Sequence, residues 1–372
     1  MIIKTEDFKR TCSTVLAATD TSEISALTST LELKTSGTNL YLNVSNGEYY
    51  VSVKFELDHE ENFHASVNAN LFLKLISAIT TEDIELSVHS TFLKIKANGN
   101  YKVPLIFEKE EMMTVPVISI ENKTAEMQIS SDILNDILVY NGRQITGKFA
   151  ARSTSQPVQK MFYIDQEGCI TFNGGACVTE FTLEKPLKLL LNSRLVNLFR
   201  LFKNTLVNFT LGYDPYSETI IQTKVSFETP NIKLTAITSS DDRMLNAVPV
   251  TLIRNKVNGA HNNKVVLSKD ALIEALDRLL LFENKDEVTY NMVSFGHNKM
   301  VIYDAKMENS EELIYENDSL ITETYDMKIN LAEVKRVIDG CGEQYITLSF
   351  GDYNNCVFSW KNVKNIVFEG KR

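Results

Sequence analysis

Six short apolar runs in this chain each end in Ser, Thr or Asn, and a helix-like pattern follows every one of them. The junction residues, at spacings of 63, 62, 62, 76 and 62, are Thr5, Asn68, Ser130, Asn192, Ser268 and Asn330. These residue types favour helix N-caps, because a short side-chain oxygen accepts hydrogen bonds from the free N–H groups of a first turn. A period near 62 residues is longer than a usual solenoid repeat and indicates one supersecondary unit repeated six times. We therefore expect function to come from the assembled array and not from one pocket.

A series of short strands follows each predicted helix. In the first unit, residues 31–34 and 40–44 alternate between apolar and polar, and Asn46-Gly47 predicts a hairpin turn before the third strand. The second and sixth units repeat this pattern. Each unit is therefore expected to contain one strand, one helix and about three antiparallel strands, which places the chain in the α+β class.

Two such units per domain predict three similar domains, because a single unit cannot cover its own sheet. The expected domains are residues 1–120, 121–252 and 253–372. The one long spacing reflects about 14 additional residues, which coincide with the polar, pattern-free stretch 254–264. That stretch predicts an irregular linker between the second and third domains.

The composition fits an ordinary globular protein, with 44% hydrophobic and 23% charged residues in a chain of 372. No stretch predicts a membrane span, and the first residues lack the pattern of a signal peptide. The five cysteines form no CxxC pair, so free thiols in a reducing cytoplasm are expected.

Charge is distributed unevenly along the chain. The net charge of −10 argues against a general nucleic-acid coat protein. The six helix windows, residues 5–18, 68–79, 130–145, 192–205, 268–282 and 330–341, hold eleven basic and nine acidic residues. They are either the solvated faces of amphipathic helices or one surface for loose, sequence-independent contact with phosphates.

Motifs that would indicate catalysis are not found in the sequence. The five histidines have no metal-ligand spacing, and neither a phosphate-binding glycine loop nor a nucleophile elbow occurs. With the sixfold repeat, this favours a binding protein that needs no metal or cofactor over an enzyme.

The repeat and several local strings resemble one known family. Residues 31–55 and 93–107 resemble its first domain, 161–181 and 232–243 its second, and 331–337 its third. The family is the bacterial DNA polymerase III beta subunit, the DNA sliding clamp, and the low identity is typical of a divergent member such as one carried by a phage or prophage. The resemblance implies a head-to-tail homodimeric ring around double-stranded DNA, with a DNA polymerase and a clamp loader as partners.

The resemblance also implies three sets of site residues. The DNA-facing set is Lys9, Arg10, Lys74, Arg143, Arg194, Arg200, Lys203, Lys335 and Arg336. At the dimer interface, Leu281 and Phe282 would pack against Val103 and Leu105 of the second copy, although all four could equally be core residues.

The third set forms a pocket between domains 2 and 3, which in the family accepts short linear motifs of client proteins. It comprises Val158, Asn173, Gly175, Val178, Tyr353, Asn355, Ile366 and Phe368. The loop 173–178 keeps a glycine and an aliphatic end but lacks the family's His and Arg, so a different peptide preference is expected.

Two other functions are compatible with the sequence. The first is a repeat scaffold that binds peptide motifs without closing around DNA, and the second is an enzyme of unrecognised type. The four interface residues distinguish the ring from the scaffold, because only a ring requires them.

Overall fold

The computed structural model describes residues 1–19, 26–146, 157–217, 220–259, 261–284, 287–351 and 355–370. All six predicted units are present, each as a leading strand, a helical segment and a meander of three antiparallel strands. We number these units motif 1 to motif 6 in chain order. The α+β class and the sixfold repeat are therefore confirmed.

The first three motifs span residues 2–180. Motif 1 comprises β1 (Ile2–Lys4), α1 (Thr5–Leu16), α2 (Ala26–Ser29), β2 (Thr30–Ser36), β3 (Asn39–Ser45) and β4 (Tyr49–Glu56). Motif 2 comprises β5 (His64–Asn68), α3 (Ala69–Ala78), β6 (Asp83–Val88), β7 (Phe92–Lys96) and β8 (Asn100–Pro104), followed by the short β9 (Phe107–Glu108) and β10 (Glu111–Met112). Motif 3 comprises β11 (Lys123–Ser130), α4 (Ser131–Asp136), a π-helical turn (Ile137–Asn141), α5 (Gly142–Thr146), a 3-10 turn (Pro157–Lys160), β12 (Met161–Asp165), β13 (Gly168–Phe172) and β14 (Ala176–Glu180).

The other three motifs span residues 188–368. Motif 4 comprises β15 (Lys188–Asn192), α6 (Ser193–Asn197), a 3-10 turn (Leu198–Leu201), β16 (Leu206–Pro215), β17 (Ile221–Glu228) and β18 (Ile232–Thr238), and is followed by α7 (Asp242–Asn246) and α8 (Val250–Val257). Motif 5 comprises β19 (Asn263–Ser268), α9 (Lys269–Leu280), β20 (Asn291–Phe295), β21 (Lys299–Tyr303) and β22 (Ser310–Ile314). Motif 6 comprises β23 (Tyr325–Ile329), α10 (Leu331–Ile338), β24 (Tyr345–Phe350), β25 (Asn355–Trp360) and β26 (Val363–Phe368).

Five of the six predicted N-caps are confirmed. The side chains that accept a hydrogen bond from a first-turn N–H group are those of Asn68, Ser130, Asn192, Ser268 and Asn330. The prediction for Thr5 is wrong. Its own N–H donates to the Glu82 main-chain oxygen, and its buried hydroxyl has no partner among the described residues. Local capping chemistry thus sets most of the helix starts.

Two of the predicted helices are less regular than the pattern suggests. The fourth, expected over residues 192–205, ends at Leu201, because Phe202 is extended and Asn204 has a positive φ of 51°. The third contains the π-helical turn, which ends at the buried Asn141. No helix in the described ranges is long and apolar enough to span a membrane.

The predicted linker over residues 254–264 is not irregular throughout. Its first part belongs to α8, which continues to Val257. Arg254 in this helix donates to the Asp165 carboxylate at 2.6 Å and lies 3.0 Å from the Glu167 carboxylate. The helix is therefore held by tertiary ion pairs, which a local pattern cannot reveal.

The chain divides into two compact units. Unit 1 contains residues 1–134 and 197–239, and unit 2 contains residues 135–196 and 240–372. Unit 1 holds an eight-stranded sheet in the order β11-β16-β17-β18-β4-β3-β2-β5 and a four-stranded sheet in the order β1-β6-β7-β8. On the helical side of unit 1, Phe8 of α1 makes edge contacts with Phe72 of α3 and Phe55 of β4.

Unit 2 holds the corresponding pair of sheets. The eight-stranded sheet has the order β15-β12-β13-β14-β26-β25-β24-β19, and the four-stranded sheet has the order β22-β21-β20-β23. Helices α9 and α10 pack together over a core that includes Leu276, Phe295 and Val334.

One pairing pattern governs all four of these sheets. Motifs 1 and 2, 3 and 4, and 5 and 6 exchange their leading strands, so that each leading strand lies beside the other motif's meander. The last strands then pair between motifs that are three apart, β4 with β18 and β14 with β26. The last strands of motifs 2 and 5, β8 and β22, instead end their four-stranded sheets.

Candidate functional site

An apolar cluster in unit 2 gathers three of the predicted pocket residues. It comprises Val158, Tyr163, Ile170, Ala176, Val178, Leu190, Leu245, Val248, Ile253, Val257, Val357 and Ile366. Val158, Val178 and Ile366 are buried there, together with residues of α7 and α8. They form the floor of a candidate client site and not its open surface.

Two further predicted pocket residues, Asn173 and Gly175, lie in the turn before β14. Asn173 is buried, and its N–H donates to the Gly175 oxygen at 2.9 Å. A Cβ on Gly175 would lie 2.5 Å from the Ile366 main-chain oxygen, so the close approach of β14 to β26 requires glycine there. The turn is thus fixed against the last strand of the chain.

The remaining pocket residues lie near the end of the chain. Asn355 is buried, and neither polar atom of its side chain has a partner among the described residues. Phe368 is partly exposed, and the Lys256 ammonium lies 5.6 Å from the centre of its ring. Tyr353 lies outside the described residues. Of the predicted pocket residues that the structure describes, Phe368 is therefore the most accessible to a ligand.

Two cavities in unit 2 flank Arg254. The larger, of about 600 Å³, adjoins the apolar cluster through Tyr163 and Leu245, and the smaller, of about 310 Å³, is lined in part by Val178. Burial, with the nearby Asp165 carboxylate, raises the pKa of Tyr163 to about 12, so this phenol stays neutral at physiological pH. The cluster and its cavities offer an apolar floor beside a fixed polar rim, which suits an amphipathic peptide.

In unit 1, the predicted DNA-facing residues of motifs 1 and 2 lie on α1 and α3, which pack together. Along α1, Lys9 lies 3.3 Å from Glu6, and Arg10 lies 3.5 Å from Asp7. Lys74 is exposed on α3 and makes no ion pair with the described residues. Lys9 is partly buried and Arg10 is exposed, and ion pairs between neighbouring turns of one helix are weak, so these two cations can exchange their partners for phosphates.

Arg200 and Lys203 are exposed near the end of the fourth helical segment, in unit 1. The Arg200 guanidinium donates to the Ala17 main-chain oxygen at 2.7 Å. Both side chains line a cavity of about 480 Å³.

In unit 2, three of the four predicted cations are accessible. Arg194 is exposed, and Arg143 is half-buried, 4.0 Å from Asp339. Lys335 on α10 pairs with Asp277 on α9. This pair bridges two helices, so Lys335 also stabilises the packing of α9 on α10.

Arg336 has a different environment from the other eight. Its side chain is only 20% exposed, and its guanidinium donates to the carboxylate of Glu333, the main-chain oxygen of Arg143 and the side-chain oxygen of Gln144. Gln144 in turn donates to the Asn173 main-chain oxygen at 3.0 Å. Through these contacts Arg336 links α10 to α5 and, through Gln144, to the turn before β14, which is a structural role.

Of the predicted interface residues, two are exposed and two are buried. Leu281 and Phe282, just after α9 in unit 2, are 81% and 59% exposed. Val103 and Leu105 are buried in unit 1, where Val103 pairs with Leu93 of β7.

Comparison with solved structures identifies the architecture. A DNA polymerase III beta subunit of Thermotoga maritima matches at a TM-score of 0.76 and 14% identity, covering 100% of this chain and 99% of that one. The chain therefore has the sliding-clamp fold. The clamps of Bacillus subtilis (TM-score 0.77, 13% identity, 100% and 98% covered) and of Pseudomonas aeruginosa bound to griselimycin (TM-score 0.78, 14% identity, 100% and 99% covered) match equally well. No family model and no curated protein sequence matches.

The clamp fold predicted from the resemblance is thus confirmed over the whole chain. The sequence reasoning nevertheless missed two exposed apolar residues, one close to the edge strand β8 and one in the edge strand β22. Phe107, which is 44% exposed, lies just beyond β8, and Ile314, which is 79% exposed, ends β22. Alternation along each edge strand was the available signal, since it separates outward from inward positions.

The cysteines and acidic groups offer no evident reactive centre in the described residues. All five cysteines are buried and free, and burial raises the pKa of the Cys177 thiol to about 12. Within the described ranges, no group of three or more His, Cys, Asp or Glu side chains could hold a metal ion.

Proposed function

We propose that the chain is a DNA sliding clamp, a non-enzymatic processivity factor that encircles duplex DNA as a head-to-tail homodimer. The observation that carries this proposal is the pairing of motifs three apart, 1 with 4 and 3 with 6, which leaves the last strands of motifs 2 and 5 without such a partner among the described strands. Pairing β8 of one copy with β22 of the next extends the same rule across two chains. It also removes two open sheet edges, which are otherwise sites of uncontrolled association.

The domain boundaries 1–120, 121–252 and 253–372 remain part of this proposal. The exchange of leading strands within motif pairs 1–2, 3–4 and 5–6 supports them, because each pair is then interlocked. Two copies of a three-domain chain would provide twelve motifs and hence twelve helical segments for the ring.

The proposed dimer interface combines strand pairing with apolar contacts. Leu281 and Phe282 would supply the apolar side chains on the unit 2 side. On the unit 1 side, Phe107 is the exposed candidate, whereas Val103 and Leu105 would contribute through their main-chain groups.

The proposed DNA contacts are individually weak. A ring holds DNA topologically, so a few exposed cations such as Lys74, Arg200 and Lys203 suffice, and tight phosphate contacts would hinder sliding. A chain with a net charge of −10 fits such a surface. We retain the predicted DNA-facing set except Arg336, whose guanidinium is already occupied.

The proposed protein partners are a DNA polymerase and a clamp loader, in the cytoplasm. They would dock at the apolar cluster of unit 2, with Phe368 at its edge. The names of the structural neighbours, DNA polymerase III beta subunits, support this choice of partners.

Retention on circular DNA tests the proposal. A ring loaded on a nicked circular plasmid should remain bound during gel filtration and should leave when a restriction enzyme linearises the plasmid. Release at equal rates from both forms would instead support the alternative, a scaffold that binds peptide motifs without encircling DNA. The clamp architecture of the neighbours does not favour that alternative.

A further inference from the structure

The side chain of Arg278 joins the end of α9 to the edge strand β22 in unit 2. Its guanidinium donates two hydrogen bonds to the Glu311 carboxylate, from Nε to Oε1 at 2.7 Å and from Nη2 to Oε2 at 2.9 Å. Two parallel hydrogen bonds between a planar guanidinium and a carboxylate fix direction as well as distance. We refer to this contact as the Arg278–Glu311 fork.

The main chain of Arg278 is bonded to the exposed apolar pair that follows α9. Its carbonyl oxygen accepts a hydrogen bond from the Leu281 N–H group at 3.3 Å, and the Phe282 N–H group donates to the Leu279 oxygen at 3.1 Å. One arginine therefore connects the turn that carries Leu281 and Phe282 with strand β22. These are the two elements that the proposed dimer interface uses on the unit 2 side.

Strand β22 ends its four-stranded sheet and pairs only with β21 among the described strands. Its Leu313 side chain belongs to the same core cluster as Leu276 of α9, and Glu311, two residues earlier, lies on the same face of the strand. The hydrogen bonds from Arg278 lower the pKa of the Glu311 carboxyl, so this group stays ionised at neutral pH. The fork therefore adds a charge-assisted attachment of the edge strand to the helix.

Motif 2, whose edge strand β8 lies on the other side of the proposed interface, cannot form the same fork. The residue ten positions after the helix N-cap is Arg278 in motif 5 and Ala78 in motif 2. The second residue of the edge strand is Glu311 in β22 and Tyr101 in β8. The repeated fold thus forms without this ion pair, which points to a role specific to motif 5.

We propose that Arg278 is a positioning residue of the dimer interface, which holds β22 and the Leu281–Phe282 turn as one preformed surface for a second copy. This inference rests on the proposed ring. A surface that is ordered before association loses less conformational freedom on binding, and it therefore binds more tightly. The side chains of Arg278 and Glu311 are 54% and 24% exposed, so the fork contributes little to the stability of the fold itself.

The dissociation constant of the dimer tests the proposal. Arg278→Gln and Glu311→Gln, each measured by sedimentation, should raise this constant about tenfold, because a ring of two copies contains the fork at both interfaces. Glu274→Gln is the matched control, since Glu274 lies 3.8 Å from the same guanidinium but belongs to the same helix. Equal dissociation constants for a dimeric wild type and both fork variants would overturn the proposal and leave the ring hypothesis standing.

An exchanged pair separates positioning from direct contact with the second copy. The double variant Arg278→Glu, Glu311→Arg rebuilds an ion pair between α9 and β22 with its charges reversed. It should recover most of the affinity that Arg278→Glu alone loses, because the two effects depend on one contact within the chain. Side chains that touched the second copy directly would meet the wrong charge there, so a double variant without recovery would contradict the positioning role.

Measurements on the dissociated chain complete the test. At concentrations where the wild type is monomeric, Arg278→Gln should raise the hydrogen-exchange rates of the β22 amides severalfold and leave the midpoint of urea unfolding unchanged. A fall in that midpoint large enough to account for the weaker dimer would assign the fork to folding and refute the proposal. A wild type that is monomeric at every concentration would refute the ring together with this inference.

Discussion

Ile232, the first residue of β18, pairs with Val53 of β4, and this pairing joins motif 4 to motif 1 in one sheet. Ala176 and Ile366 make the equivalent junction in unit 2. The two open strands, β8 and β22, share the same alternation of exposed and buried residues, with a buried side chain at the fourth position of each. The edges are thus alike in form, which is what pairing across a third junction requires.

The exposed apolar pair after α9 should be needed for dimerisation. Changing Leu281→Asp and Phe282→Asp places two charges where the proposed interface is apolar. Burial of such side chains contributes roughly 1.5–3 kcal/mol each, so the dissociation constant should rise by at least about a hundredfold. Light scattering over a dilution series should then give a mass near 42.1 kDa in place of twice that value. Val117→Asp, at an equally exposed apolar site, is the matched control, and an undiminished dimer in the double variant would refute this interface.

The two edge strands carry unlike charges, which predicts a salt-sensitive dimer. Lys102 is exposed on β8, and Glu312 is exposed on β22. Lys102→Glu should weaken the dimer by about 0.2–1 kcal/mol per interface, as is usual for exposed ion pairs. Adding Glu312→Lys to the same chain should restore part of the loss, as measured by sedimentation at low salt. No recovery in the double variant would argue against the pairing of these edges.

Gly175 should tolerate no larger residue. In Gly175→Ala, the added Cβ would lie 2.5 Å from the Ile366 main-chain oxygen, which must move with β26. Overpacking of this kind costs about 1–3 kcal/mol, and urea unfolding should show it. Gly142→Ala is the control, because a Cβ there meets nothing within 4 Å and alanine favours a helix by up to about 1 kcal/mol. Equal stabilities of the two variants would contradict the close approach of β14 and β26.

Asp214 should make the stability of unit 1 depend on acid pH. Burial of its carboxylate opposes ionisation, but hydrogen bonds from the N–H groups of Asn122 and Glu121 and an ion pair with Lys224 at 3.0 Å outweigh it and lower the pKa of Asp214. A depressed pKa stabilises the fold above the unfolded-state value of about 3.9, and this contribution is lost as the pH falls through the lower folded-state pKa.

The variant Asp214→Asn isolates this contribution. It should be less stable than the wild type by about 1–3 kcal/mol at pH 7, because the hydrogen bonds to the charged oxygen atoms weaken. The difference should shrink as the pH drops below about 4. Chemical unfolding at several pH values measures the stability difference and its dependence on pH. A stability difference that does not change with pH would refute the stabilising role assigned to the Asp214 carboxylate.

Local chemistry made the repeat and the helix starts predictable. A cap such as Asn68 or Asn330 depends on residues within one helical turn. The hairpin at Asn46-Gly47 depends on two adjacent residues. Both features can therefore be recognised in the sequence. The helix α8 was missed because the partner of Arg254 is Asp165, 89 residues earlier.

The candidate sites were less predictable, because their assignment depends on which face is buried. Alternation showed that β8 has an inner and an outer face, but only its pairing with β7 fixes Val103 inward. Arg336 resembled the other basic helix residues, although Glu333 three positions earlier was a local sign of an internal pair. Basic residues in a sequence therefore indicate a DNA-facing surface only after those with a nearby acidic partner, such as Arg336 with Glu333, have been set aside.

The open edges of β8 and β22 also bear on how growth of the assembly is limited. They belong to different motifs, so a contact between them joins unlike surfaces and leaves each added copy with one edge still unfilled. A series of copies joined by such contacts either closes, when the last copy binds the first, or grows into a fibre. If the proposed pairing holds, an insertion that alters the angle between successive copies would convert a closed assembly into an endless one without weakening any single contact.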